Sequence, residues 1–300
     1  MFDVCLLGTG GTMPMPDRAL TSLILRYKGK NILIDCGEGT QIMVRKSGFS
    51  MKKIDTILIT HFHADHTAGL PGLLLSIGKS ERSEPVRIIG GKGIANVVKS
   101  LCIIAPELPF KTEFVEIENP RESFTLDELR IESLLLNHSM TCYGYSIILD
   151  RPGKFRPQKA LELNIPQKYW GTLQRGETVE IDGKIYTPDM VLGEARKGLK
   201  VTYCTDTRPC GNMAEFAENS DLFICEGMYA EEDKFEKALA NKHMMFREAA
   251  TIAAAANVKE LWLTHFSPSL SDPENYADYA CDLFNNTLIP TDLQKTELVF

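Results

Sequence analysis

Short runs of apolar and β-branched residues, separated by glycine-containing turns, recur along the whole chain. Runs of this length and composition predict β-strands. The predicted strands cover residues 3–7, 22–27, 31–35, 56–60, 86–89, 113–117, 130–136, 144–149, 200–205, 222–225 and 260–264. Apolar residues at helical spacing predict helices over residues 71–78, 93–102, 213–218 and 246–257. Strands and helices are therefore expected throughout the chain.

The order of these elements predicts an α/β (α+β) protein. Many neighbouring strands form hairpins rather than alternating strictly with helices, which favours two mixed sheets with outer helices over one doubly wound parallel sheet. A chain of 300 residues, 44% of them hydrophobic, can build a sizeable core. The longest apolar stretches, residues 70–77 and 249–258, are shorter than the roughly 20 residues of a bilayer-crossing helix. No membrane span is expected.

The first residues and the cysteines indicate the compartment. Asp3 lies where a secretory signal would carry a basic residue. The eight cysteines include no Cys-x-x-Cys pair, and several lie inside apolar runs. This pattern predicts reduced core thiols rather than a disulfide framework or a thiolate metal site. We expect a cytoplasmic protein.

Charge is distributed unevenly along the chain. The formal net charge of −7 argues against a simple nucleic-acid-coating protein. However, residues 151–200 contain 10 basic and 6 acidic side chains, whereas residues 201–300 contain 7 basic and 17 acidic ones. Prolines and Trp170 also distinguish this basic stretch. We expect a single domain, residues 1–300, with an insertion at residues 151–198, here called the arm. A solvated insertion without a partner would have the same charge pattern.

Glycines are concentrated in the segment Gly8-Thr9-Gly10-Gly11-Thr12. The segment lacks the third glycine of a dinucleotide fingerprint and the Gly-Lys-Ser/Thr of a phosphate-binding P-loop. It therefore predicts a tight turn whose backbone lies near a site, and nucleotide binding is not expected.

Three of the six histidines fall within six residues. His61, His63 and His66, together with Asp65, directly follow the predicted strand 56–60 and precede a helix that begins at Leu70. A turn at this point allows the four side chains to converge, which an extended strand would not allow. Histidine and carboxylate ligands without thiolate suit zinc or a similar divalent ion in a catalytic site with open positions.

Further ligand-type residues follow other predicted strands. His138 comes after strand 130–136, Asp206 after strand 200–205 and His265 after strand 260–264. Together with the first cluster they supply five histidines and two aspartates. Seven donors are too many for one tetrahedral ion, but they suit two ions with a bridging carboxylate and a bridging water.

These residues resemble those of the metallo-β-lactamase fold, a four-layer αβ/βα sandwich, and more specifically those of the ribonuclease Z family of tRNA 3′-processing endonucleases. The resemblance extends to about Ser267. The blocks that carry it are residues 8–14, 35–41, 61–66, 69–74, 206–209 and 265–267, together with Glu226.

The resemblance implies roles for the metal-binding residues. One ion would be held by His61, His63 and His138, the other by Asp65, His66 and His265, and Asp206 would bridge them. Two Zn²⁺ ions per chain are implied, with Mn²⁺ or Fe²⁺ as substitutes. Asp65, beside the shared water, would accept its proton.

The resemblance also implies a proton donor. Glu226 and His243 would form a pair that protonates the leaving 3′-oxygen. The family usually places Ser or Thr and then Thr after this histidine, whereas Met244 and Met245 follow it here. The less favoured alternative is that His243 is an ordinary surface residue at the start of a helix, because a lone histidine is weak evidence of a role.

The arm matches the position of the family's protruding exosite, which grips the tRNA elbow far from the metals. Residues implied in substrate binding are Lys154, Arg156, Lys168, Tyr169, Trp170 and Ser267. The Lys-Tyr-Trp run could pair with phosphate and stack on a base, or it could anchor the arm to itself. The family is commonly dimeric, which implies a homodimer.

We therefore expect a zinc-dependent endoribonuclease that removes the 3′ trailer from precursor tRNA and leaves a 3′-hydroxyl. One alternative is a binuclear-metal hydrolase of a small phosphodiester or sulfate ester, which would have no need of the arm. Another is a tRNA-binding protein without catalysis, against which the complete set of seven donors argues, because clustered unused ligands are unfavourable.

Overall fold

Two β-sheets packed face to face form the centre of the computed structural model, which describes residues 1–105 and 107–300. Each sheet has seven strands within that part of the chain. The first sheet has the order β16-β1-β2-β3-β4-β5-β6, formed by β1 (Phe2–Gly8), β2 (Ser22–Tyr27), β3 (Lys30–Ile34), β4 (Ile54–Leu58), β5 (Val86–Gly91), β6 (Thr112–Ile117) and β16 (Gln294–Leu298).

The second sheet has the order β15-β14-β13-β12-β9-β8-β7. Its strands are β7 (Arg121–Leu126), β8 (Leu129–Leu135), β9 (Tyr143–Arg151), β12 (Arg196–Cys204), β13 (Leu222–Glu226), β14 (Leu261–Thr264) and β15 (Thr287–Leu288). The remaining pair, β10 (Val179–Ile181) and β11 (Lys184–Tyr186), forms a separate hairpin inside the arm.

The described part of the chain also forms ten α-helices. They are α1 (Thr40–Ser47), α2 (Ala64–Thr67), α3 (Leu70–Lys79), α4 (Ile94–Leu101), α5 (Pro157–Glu162), α6 (Trp170–Gln174), α7 (Met213–Ala217), α8 (Phe235–Asn241), α9 (Phe246–Ala255) and α10 (Asp278–Cys281). Apolar residues of α1, α3 and α4 pack on the first sheet, and those of α7, α9 and α10 pack on the second. The predicted four-layer αβ/βα sandwich is confirmed.

The alternation of side chains along each strand explains the layering. In β2, Leu23 and Leu25 point into the core between the sheets, whereas Ile24 points into the layer of helices. Successive residues of a strand face opposite sides, so a strand buried on both sides reads as a continuous apolar run. This is why the inner strands were recognisable in the sequence.

Strand direction brings the chemistry-bearing loops together. β4 runs parallel to β3 and β5, and β12, β13 and β14 run parallel to one another. The carboxyl ends of parallel strands lie at the same edge of a sheet, where α/β proteins commonly form their sites. The loops that follow β4, β12, β13 and β14 therefore meet at one edge of the sandwich.

The arm leaves the second sheet between β9 and β12 and has a small hydrophobic cluster of its own, which includes Ala160, Ile165 and Leu173. At its neck, the backbone segments that enter and leave the arm, around Gly153 and Gly193, lie in close contact. A Cβ atom on Gly153 would lie 2.0 Å from the carbonyl oxygen of Gly193, so only glycine fits there.

Among the helices in the described part of the chain, none has the length and hydropathy needed to cross a membrane.

Candidate metal centre

The first group of donors lies where the loops after β4, β8 and β12 meet. The ligand-type atoms of His61, His63, His138 and Asp206 all lie within 4.8 Å of one another. Nε2 of His61 and Nδ1 of His63 are 3.0 Å apart, and Nε2 of His138 is 3.3 Å from the same Nδ1. Three imidazole nitrogens thus converge on one point, as the sequence predicted.

The second group shares a residue with the first. It contains Asp65, His66, His265 and again Asp206. Oδ2 of Asp206 lies 3.2 Å from Nε2 of His66 and 3.3 Å from Nε2 of His265. Its other oxygen, Oδ1, lies 3.8 Å from Nε2 of His61 in the first group. The two oxygens of Asp206 therefore face different groups, as a bridging carboxylate would.

The donors fit a pair of divalent ions. Nε2 of His66 and Nε2 of His265 are buried and have no hydrogen-bond partner among the described residues. An unpartnered buried nitrogen is unfavourable, and metal coordination is a common way of satisfying it. Histidine nitrogens and carboxylate oxygens are also the donors that borderline divalent ions accept. The arrangement is therefore that of a binuclear metal site.

The charge states of His61 and Asp206 suit ligation. Burial lowers the pKa of His61 to about 2, which keeps its ring neutral. Burial raises the pKa of Asp206, but the nearby His265 and His66 outweigh it and hold that pKa well below its usual range. A neutral imidazole and an ionised carboxylate are the forms that bind a metal.

Asp35 orients one of the histidines, a role that the sequence analysis did not assign. Its Oδ2 lies 2.8 Å from Nδ1 of His66, and its Oδ1 accepts a hydrogen bond from the backbone N–H of Thr60 at 2.8 Å. A carboxylate on one ring nitrogen fixes the tautomer and aims the other nitrogen at the metal. Asp35 ends a predicted strand, so the signal that identified Asp206 was present here too.

The glycine-rich turn after β1 lies against the second group. A Cβ atom on Gly11 would lie 2.7 Å from Cε1 of His265. The neighbouring backbone N–H of Thr12 donates a hydrogen bond of 2.8 Å to Oδ2 of Asp65. The turn thus brings its backbone to the site.

Glu226 and His243 form a pair beside the metal donors. Nδ1 of His243 lies 3.0 Å from Oε2 of the fully buried Glu226, and 4.0 Å from Oδ1 of Asp206. The other oxygen of Glu226 accepts a hydrogen bond from the backbone N–H of Thr207. Burial lowers the pKa of His243, but the Glu226 carboxylate outweighs it and raises that pKa to about 9. The imidazole is therefore held in its protonated form.

The two methionines after His243 are core residues. Met244 packs in the cluster between the second sheet and its helices. Met245 packs with Met228, Tyr229 and Ala238 in a smaller cluster. Side chains buried in this way make apolar contacts in place of the hydroxyls usual in the family.

The arm residues predicted to bind substrate belong to a different segment from the loops that carry the metal donors. Lys154, Arg156 and Lys168 are exposed on the arm. The indole of Trp170 stacks on Phe155 at 5.2 Å between ring centroids and donates to the carbonyl of Ile165, which favours anchoring of the arm to itself.

Tyr169 and Ser267 are both packed rather than free. Tyr169 is half-buried and lies against the arm's hydrophobic cluster. Ser267, in the loop after β14, is buried, and its Oγ lies 2.8 Å from Oγ of Ser269.

Comparison with known proteins identifies the family. A family model described as "Anti-Pycsar protein Apyc1" matches residues 2–157, which include the first histidine cluster and end before Asp206. The chain is 55% identical to "Ribonuclease Z" of Agathobacter rectalis over 300 residues, covering 100% of this chain and 99% of the relative. It is 54% identical to "Ribonuclease Z" of Lachnospira eligens over the same length, with the same coverage.

A solved structure has the same fold. The short form of human tRNase Z superposes with a TM-score of 0.68 at 24% identity, covering 99% of this chain and 100% of that one. An identity this low bears on the fold alone, whereas the sequence matches extend over the whole chain at more than half of its positions. The chain belongs to the ribonuclease Z family.

Proposed function

We propose that this protein is an endoribonuclease that cleaves the 3′ trailer from precursor tRNA and leaves a 3′-hydroxyl on the tRNA. The observation that carries the proposal is the juxtaposition of two donor groups, joined by Asp206, with the Glu226–His243 pair. Full-length relatives named ribonuclease Z support the same reading.

In this proposal the metal is zinc. His61, His63 and His138 would hold one ion, Asp65, His66 and His265 would hold the other, and Asp206 would be shared by both. When bound, the two ions supply Lewis acidity, which lowers the pKa of the attacking water and neutralises charge on the phosphodiester.

Asp65 is assigned as the proton acceptor. The Thr12 backbone N–H and the neighbouring His66 and His265 hold its Oδ2 in place. Burial raises the pKa of Asp65, but His265 and His66 outweigh it and keep that pKa below its usual range, so the carboxylate is ionised. It takes one proton from the attacking water as the water oxygen bonds to phosphorus.

His243 is assigned as the proton donor. Glu226 engages Nδ1 of the imidazole, so Nε2 is the nitrogen that remains for the substrate. As the bond between phosphorus and the 3′-oxygen breaks, the 3′-oxygen takes the proton from His243 and leaves as a hydroxyl. General acid catalysis of this kind contributes roughly 10²–10⁴-fold to a rate.

The arm is assigned to binding of the tRNA body. Lys154, Arg156 and Arg196 line an open cavity of about 470 Å³ at the neck, together with Gly193, Glu194 and Ala195. Clustered basic side chains attract the phosphate backbone irrespective of sequence. The arm supports tRNA over a small ester, because a small ester would not extend from the metal centre to the neck.

We also infer a cytoplasmic homodimer. The eight cysteines are unpaired in the described structure, as in a reducing compartment. Ile103 and Ile104, in the turn that follows α4, are 84% and 82% exposed, which suits an apolar contact with a second copy. Light scattering after gel filtration would measure the mass; a monomer at micromolar concentration would refute the dimer.

The activity is tested by incubating the purified protein with an unprocessed precursor tRNA and, separately, with bis(p-nitrophenyl) phosphate. The expected result is a single cut at the 3′ end of the tRNA body, with a 3′-hydroxyl on the tRNA and a phosphate on the trailer. Hydrolysis of the small ester with intact precursor tRNA would favour the small-ester hydrolase instead. Tight tRNA binding without cleavage by metal-loaded protein would favour the binding protein.

A further inference from the structure

An arginine–glutamate pair lies directly behind the proposed proton donor. Nη1 of Arg208 donates hydrogen bonds to the carbonyl oxygen of His243 at 2.6 Å and to Oε2 of Glu248 at 2.7 Å. Nη2 of the same guanidinium donates to Oε1 of Glu248, which completes a two-point pairing. The side chains of Arg208 and Glu248 are only 12% and 22% exposed. A bidentate pair shielded from water is stronger than an exposed ion pair.

The same pair also fixes the chain after His243. Oε2 of Glu248 accepts a hydrogen bond of 2.9 Å from the backbone N–H of Met245, which ties this segment to the first turn of α9. The segment begins at Lys242, whose φ of +57° is in the left-handed region. Lys242 is the left-handed C-cap of α8, and the backbone N–H of His243 donates to the carbonyl of Ala238. Arg208 and Glu248 hold the other side of His243, through its carbonyl oxygen and the N–H of Met245.

Arg208 belongs to a loop that reaches both members of the proton-donating pair. Asp206 joins the two donor groups, and the backbone N–H of Thr207 donates to Glu226. Arg208, the next residue, donates to the carbonyl of His243. Three consecutive residues thus connect the metal donors, the carboxylate of the pair and the backbone of its imidazole.

We propose that Arg208 and Glu248 are positioning residues for His243, holding its backbone so that the imidazole remains on Glu226 and faces the leaving 3′-oxygen. The inference rests on the proposed role of His243 as proton donor. Neither residue contacts the reacting atoms in this proposal. A displacement of about 1 Å at a reacting group can lower a rate by roughly 10²-fold. Loss of the Arg208–Glu248 pair is therefore expected to slow proton transfer from His243 to the leaving oxygen.

The test uses two substrates that differ in one atom. One is a precursor tRNA, and the other is the same RNA with sulfur in place of the 3′-oxygen at the cleaved bond. A thiolate leaves without needing a proton, so loss of proton donation slows cleavage of the oxygen substrate and spares the sulfur substrate. Single-turnover rates at saturating enzyme separate this step from binding.

For Arg208→Ala we expect a rate about 10²-fold lower with the oxygen substrate and nearly unchanged with the sulfur substrate, at wild-type metal content. Arg208→Lys restores one contact to the carbonyl and is expected to recover part of the loss. Glu248→Gln is expected to act in the same direction as Arg208→Ala. Arg247→Ala is the matched control, because Arg247 neighbours Glu248 in α9 but pairs only with the exposed Glu232.

The outcomes distinguish failure of the positioning role of Arg208 and Glu248 from failure of the proton-donor role of His243. Equal losses on both substrates for Arg208→Ala, with sulfur rescue for His243→Ala, would overturn the positioning role and leave the donor in place. Equal losses on both substrates for His243→Ala would overturn the donor, and the positioning role with it. The variant that combines Arg208→Ala with His243→Ala should be little slower than His243→Ala alone, because the losses in rate of residues that act through one group do not add. An additive loss would contradict the inference.

Discussion

The metal centre and the arm are built in opposite ways. Donors such as His61, Asp206 and His265 are buried at the edge of a thick sandwich, and the hydroxyls of Thr60 and Thr205 hydrogen-bond to the side chains of His61 and Asp206. The arm packs around a small cluster of its own, presents Lys154 and Arg156 to solvent, and joins the sandwich through a narrow neck. Catalysis thus depends on buried polar groups that converge at the metal centre, whereas substrate binding depends on exposed charges of the arm. Mutations should therefore affect the two separately.

The largest effect is expected from Asp206, the residue common to both donor groups. Asp206→Ala should abolish turnover of precursor tRNA and of a small phosphodiester alike, because neither ion would be held correctly. Elemental analysis should show metal content falling from about two ions per chain. Asp189→Ala, which removes an exposed carboxylate of the arm, is the control. Two retained ions in folded Asp206→Ala protein would refute the bridging role.

Asp35 tests how far the metal centre depends on the residues that orient its donors. Asp35→Asn keeps the shape of the side chain but weakens its hold on His66, which should lower metal affinity or activity by roughly 10–100-fold. Competition with a chelator measures the affinity directly. Asp55→Asn is a matched control in β4, because Asp55 pairs with Lys30 near the start of that strand, at the end away from His61. Unchanged affinity in Asp35→Asn would leave Asp35 with a purely structural role.

Removal of the arm tests whether substrate binding can be lost while catalysis at the metal centre is kept. Deletion of residues 153–193 joins two points that are already in contact at the neck, so the sandwich should fold. The apparent KM for precursor tRNA should rise by about tenfold or more as phosphate contacts are lost, while hydrolysis of a small phosphodiester should hardly change. Unchanged cleavage of precursor tRNA would make the arm an ordinary solvated insertion.

The smallest effect is expected from removing two positive charges of the arm. Lys154→Ala combined with Arg156→Ala should flatten the salt dependence of tRNA binding by about one phosphate contact per charge removed. Binding titrations at several salt concentrations give the slope. Replacement of Lys111 and Lys259, which lie outside the arm, should leave the slope unchanged. An equal change in both double variants would show that only total charge matters.

The sequence was most informative where a buried pattern repeats. The strand predicted at residues 222–225 is β13, and the helix predicted at residues 246–257 contains α9, because continuous apolar runs and helical apolar spacing reflect burial directly. Strand β7 was not predicted, because at the edge of its sheet it alternates exposed residues with half-buried ones. Short helices of the arm were missed for a similar reason: α6 spans only five residues.

The metal donors were predictable because they follow strands and belong to residue types with few other reasons to cluster. The groups that hold them were harder to find. Thr12 acts through its backbone N–H, which carries no side-chain signal. Arg208 and Glu248 are 40 positions apart and meet only because α9 packs on the second sheet beside the loop after β12. Such partners are set by tertiary packing.

The turn beside the metal centre also depends on a residue near the other end of the chain. Oδ1 of Asp292 accepts hydrogen bonds from the backbone and the hydroxyl of Thr9, across a sequence separation of 283 residues, and its Oδ2 accepts one from the N–H of Ala19. Contacts between such distant segments form late in folding, since the loop that they close is long. During synthesis most of the sandwich therefore leaves the ribosome before the turn beside Asp65 can be completed, and nascent chains should acquire nuclease activity only after Asp292 has emerged.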